Sequence, residues 1–145
     1  SFVFCLKGEI SVKTCTVFVA LQIAGAILGV MLANYMFGID PVNFSEKPRS
    51  GTNIFVSEVF ATFGLLLVIL LSTKEKVATG VAAYIGAAYW FTSSTSFANP
   101  AGTIGRAFSD TFAGISPDDV IAFCAAQVIG AILAYLLYRK VFSKT

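Results

Sequence analysis

The longest uncharged run of the chain, Val77 to Gly105, is interrupted in its middle by a polar cluster, and that combination leaves few folds open. The cluster is SSTSFANPAGTIGR, Ser93 to Arg106. A run this apolar belongs in hydrocarbon, where about 20 residues make a spanning helix. Ser, Thr, Asn, Pro and Gly at its centre do not make a lipid-facing span, because unwound N–H and C=O groups find no partner among acyl chains. Such backbone survives at membrane depth only where it is buried in protein or lines a watery cavity. Asn99 is a favourable N-cap, and Pro100 suits a first helical turn, where its missing N–H would be an orphan anyway. The pattern predicts a chain that leaves its helix, runs unwound over 92–98 and restarts as a half-helix over 99–109. An interrupted span of this kind is a candidate pore or binding site at mid-bilayer.

The rest of the chain supports membrane residence. Charged residues make up 12% of the 145, against about a quarter in soluble domains. Besides the interrupted run, Thr14–Ile39, Ser50–Thr73 and Val120–Tyr138 are uncharged except for Glu58. The expected spans are about 14–38, 51–73, 75–91 and 118–138, with 1–13 too short to cross. Gly25 and Gly29, four apart, form a small-residue seam on which another helix can pack. Ser116-Pro117-Asp118-Asp119 reads as a helix start, with acids in the positive first turn.

Charge distribution sets the orientation. Lys7, Lys13, Lys74, Lys76, Arg139, Lys140 and Lys144 fall on one side of an alternately threaded chain, and Lys47 and Arg49 on the other. Basic residues collect in cytoplasmic loops, so the C-terminus is expected inside a cell membrane. These residues sit singly at span ends rather than in a patch, which argues against nucleic acid as a partner. Cys5, Cys15 and Cys124 are odd in number and lie in apolar stretches, so no disulfide framework is expected. There is no His and no Cys/Asp cluster to ligate a metal. No Ser/His or Cys/His set, carboxylate pair or phosphate loop points to an enzyme or a cofactor.

An internal repeat is visible. With Gln22 set on Gln127, VALQIAGAILGVMLANYMF and CAAQVIGAILAYLLYRKVF share eight of nineteen residues. The first copy would run outward and the second inward, an inverted arrangement typical of channels and transporters.

SFANPAG, followed by a short helix and a last span containing AAQVIGA, resembles the second signature of the major intrinsic proteins, the aquaporins and aquaglyceroporins. The resemblance implies an all-α membrane protein, an aquaporin-like inverted-repeat helical bundle with a re-entrant half-helix. Residues 1–145 would form a single channel domain with about four spans, its first part missing, and 1–13 would be the tail of a first half-helix with its loop. Asn99, Pro100 and Ala101 would be the pore signature. Glu58 matches a family glutamate that braces the unwound loop, and Gln22 and Gln127 read as interhelical hydrogen-bonding groups. Water-selective members place Arg directly after Asn-Pro-Ala and His twelve residues before the Asn. Here those positions are Gly102 and Ala87, with Ser96 at the loop position of the same ring and Arg106 one turn further on. Arg106 either reaches back over Gly102 or faces the outer vestibule.

The pattern looks most like bacterial metalloid-permeable members. It implies a passive homotetrameric channel for glycerol-like polyols, neutral metalloid hydroxides such as arsenious acid, and water. The alternatives are a water-selective aquaporin, a proton-coupled secondary transporter working through Glu58, and a non-conducting fragment.

Overall fold

The computed structural model describes residues 1–142, so Lys144 lies outside the described residues. The described residues form six helices in order: α1 (Phe2–Leu6), α2 (Val12–Met36), α3 (Thr52–Leu71), α4 (Val77–Phe91), α5 (Pro100–Arg106) and α6 (Pro117–Val141). The described residues contain no strand, only an isolated parallel bridge between Asn43 and Ser109. Helices α2, α3 and α6 are long and apolar enough to cross a membrane. The fifteen residues of α4 give about 22 Å at 1.5 Å per residue, short of a hydrocarbon core of about 30 Å. The helix ends early because Thr92 turns to an extended conformation and its hydroxyl donates back to the Ala88 carbonyl at 2.6 Å.

The chain forms two compact units, each assembled from two stretches of sequence. One comprises residues 1–49 and 100–121. It holds α1, α2, α5 and the first turn of α6. Ser11 starts α2 by accepting the Thr14 N–H. Gly38, at φ +72°, ends it in a left-handed turn that only glycine adopts freely, and Ile39 N–H reaches back to the Asn34 carbonyl at 2.9 Å. Helix α5 lies directly against α2: a Cβ added at Gly105 would come within 2.9 Å of the Ala26 backbone. Among the described residues, a Cβ added at Gly25 or Gly29 would meet nothing within 4 Å, and the close approach to α5 falls at Ala26 between them.

The half-helix ends at Arg106, three residues before the expected 109. Ala107, Phe108 and Ser109 close tighter turns onto Ile104, Gly105 and Arg106. The carbonyls of Ala107 and Phe108 then accept the N–H groups of Ser45 and Asn43 at 3.0 and 3.3 Å. That pairing draws the chain out of helical geometry.

The second unit comprises residues 50–99 and the chain from 122 onward. It is built on close crossings. The Tyr84 hydroxyl of α4 donates to the Ala61 carbonyl of α3 at 2.9 Å. Gly64 leaves room for that ring, since a Cβ there would collide with it. On α6, Gly130 sits against the Val59 carbonyl and the Phe63 amide of α3, with no space for a side chain. The rings of Phe97 and Phe123 meet edge to face at 5.3 Å.

Candidate functional site

In the second unit the non-helical stretch 92–99 leads straight into α5. Thr95, Ser96 and Ala98 all have positive φ, at 60°, 48° and 49°. Three left-handed non-glycine residues in four positions are strained, so the surroundings must over-determine them. Two neighbours on α3 do so. Ser57 Oγ accepts the Ser94 N–H at 3.2 Å, and Ser94 Oγ in turn accepts the Ser96 N–H at 3.3 Å. Glu58, fully buried, accepts Phe97 N–H on Oε2 at 3.3 Å and Ala98 N–H on Oε1 at 2.5 Å. Gln127 of α6 donates its amide to the same Oε1 at 2.8 Å. A carboxylate with acceptors only is well matched to three N–H donors. The successive amides of Phe97 and Ala98 form a small concave donor pair of the kind that binds anions, here filled by a side chain.

Within this unit the structure thus brings together Glu58, Gln127 and the end of the loop. Ser96 is buried as well, and its hydroxyl oxygen has no hydrogen-bond partner among the described residues. Ala87, on α4, is exposed, as is Asn99 at the end of the loop.

In the first unit Pro100 opens α5, with Ala101, Thr103 and Gly105 buried. Gly102 and Arg106, four apart on one face, are half-buried, as are Pro100 and Ile104. Gln22 donates to Ser1 Oγ at 2.8 Å and so ties α2 to the residue that begins α1.

Several contacts escaped sequence reasoning. Asn34, near the end of α2, donates to the Phe108 carbonyl at 2.9 Å, and its own oxygen accepts from Ser109 Oγ at 2.7 Å. Arg49 donates through Nε to the Gly114 carbonyl at 2.7 Å and through Nη2 to the Phe112 carbonyl at 3.1 Å. In the sequence Arg49 is only a loop charge between Pro48 and Ser50. Its sole signal is a cation in a connection whose other ionisable groups are Asp40, Glu46 and Lys47.

The chain is 45% identical over 142 residues to aquaglyceroporin AqpS of Rhizobium meliloti (strain 1021). The match covers 96% of this chain and 61% of that protein, so the chain spans about three-fifths of its relative's length. No family model and no solved structure matches the chain.

Proposed function

Because the chain belongs to the major intrinsic protein family, we propose that it is the signature-bearing part of a passive membrane channel for small uncharged solutes. The observation that carries this reading is the unwound, left-handed stretch 92–99 held by Glu58 and opening into α5 at Asn99-Pro100-Ala101. A half-helix begun this way presents the positive end of its dipole. That end favours a passing hydroxyl oxygen and opposes cations, protons included. The aquaglyceroporin relative supports a solute of glycerol's class.

In this reading Ala87, Ser96, Gly102 and Arg106 set selectivity. Gly and Ala replace bulky Arg and His at two positions, which removes side-chain volume and widens the passage. Polyols and neutral trihydroxides such as arsenious acid then pass along with water. The protein sits in the cell membrane with its C-terminus inside and works as a homotetramer. Proton coupling through Glu58 is disfavoured because both carboxylate oxygens already hold Phe97, Ala98 and Gln127.

Swelling of vesicles containing the full-length natural protein tests the proposal. Water, glycerol and arsenious acid should all enter. Ala87→His with Gly102→Arg should reduce glycerol and arsenious acid entry about tenfold while sparing water. Arg106→Ala should raise the glycerol-to-water ratio if the side chain reaches over Gly102. Entry of water with exclusion of both larger solutes would make this a water pore. A flux that requires a proton gradient, and loses that requirement in Glu58→Gln, would make it a transporter.

A further inference from the structure

Helix α5 has only seven residues, too few to hold a helical conformation alone in water. Its direction, and with it the aim of Arg106 on its last turn, is imposed by its packing on α2 at Ala26 and by what grips its two ends. The loop before it is gripped by Ser57 and Glu58. The stretch after it, 107–116, is gripped by a different set of residues, which the channel reading has not used.

That set is the segment 43–49. Asn43 and Ser45 pair with the carbonyls of Phe108 and Ala107. Glu46 N–H donates to Asp110 Oδ1 at 3.1 Å. Lys47 Nζ donates to the Phe112 carbonyl at 3.1 Å and lies 4.5 Å from the centre of the Phe112 ring. The Lys47 carbonyl accepts the Ser116 N–H at 2.7 Å. A Cβ at Gly114 would collide with the Ser109 carbonyl and Ser45. At the end of this interlock Arg49 is 7% exposed. Its guanidinium holds the carbonyls of Gly114 and Phe112, and its own N–H donates to Asp119 Oδ2 of α6 at 2.6 Å.

Burying a guanidinium is costly, and well-packed apolar residues often stabilise as much or more. What a guanidinium adds is direction. Its planar fork holds two acceptors at fixed angles, whereas an ammonium is a point charge that can pivot. Two carbonyls two residues apart, held by two nitrogens of one rigid plane, set the course of the chain between α5 and α6.

We propose that Arg49 is a positioning residue for selectivity: it fixes the segment that leaves α5 and thereby the placement of Arg106. The proposal rests on the channel reading above. Arg49 touches no solute and acts through Arg106.

The test is Arg49→Lys in the full-length protein, alone and combined with Arg106→Ala. Arg49→Lys should elute and span the membrane as the unmodified protein does. Its amides at 107–116 should exchange with deuterium at least tenfold faster, with those at 92–98 unchanged. Its glycerol-to-water permeability ratio should rise about threefold or more, in the same direction as Arg106→Ala. In the double variant the ratio should rise no further than in Arg106→Ala, because residues acting through one another are not additive. An unchanged ratio in Arg49→Lys overturns the proposal. So does a ratio unaffected by Arg106→Ala, or a double variant in which the two effects multiply. Should Arg49→Lys fail to fold, Arg49→Gln, which keeps one fork of the planar group, carries the same comparison. If the unmodified protein passes neither solute, the channel reading itself fails. Conduction with an unmoved ratio removes only the role of Arg49.

Discussion

Glu58 acts through the donors it gathers. Each left-handed non-glycine residue in the loop costs about 1–2 kcal/mol, and three are present. A hydrogen bond to a charged acceptor contributes about 1.5–3 kcal/mol net, and three are made to Glu58. The two sets are comparable, so the carboxylate is of the right strength to hold a loop that would otherwise relax. Glutamine at 58 would be nearly the same size but would turn an NH2 group toward one of these donors. Glu58→Gln should therefore destabilise the protein by about 3 kcal/mol, read as a lower unfolding temperature in detergent. Stability within about 0.5 kcal/mol of the unmodified protein would sink the bracing role.

At the scale of elements, the crossing of α6 over α3 depends on Gly130. Its missing side chain lets the Val59 carbonyl and Phe63 amide approach, so Gly130→Val must push two helices apart or unfold one. A loss of about 3 kcal/mol or more is expected, while Gly25→Val, on the open face of α2, should change stability by less than 1 kcal/mol. Comparing these two variants by thermal unfolding measures how differently two similar glycines are used. The sequence does not distinguish them: Gly25 and Gly29 carry the four-residue spacing, yet packing chose Gly130, Gly64 and Gly105. Periodicity reports a possible seam and not its partner. The restart at Pro100 was legible because Asn-Pro is local chemistry, decided within two residues. The end of α5 was not, since it depends on Asn43 and Ser45, more than sixty residues earlier. Arg49 was hidden for the same reason: its partners are backbone carbonyls 63 and 65 residues away, and a carbonyl has no residue type to recognise. Glu58 was legible as a charge too costly to bury without purpose.

For the whole molecule, exposed apolar residues on α2 such as Leu21, Leu28 and Leu32 offer a surface suited to lipid or to another copy. If the full-length protein assembles as proposed, its mass in detergent, corrected for the micelle, should be four times that of one chain. A monomeric mass in which solute flux nonetheless persists would separate conduction from assembly.

The bond between Asn34 and the Phe108 carbonyl joins residues 74 apart in sequence, and it has a consequence for biosynthesis. At roughly 5–20 residues per second, α2 leaves the ribosome about 4–15 s before its partner exists. Throughout that interval the Asn34 amide has its near acceptor, the Pro41 carbonyl at 3.2 Å, but not the Phe108 carbonyl, while α3 and α4 are still emerging. The first unit is thus started early and closed late, and its polar latch is a timing element as well as a bond.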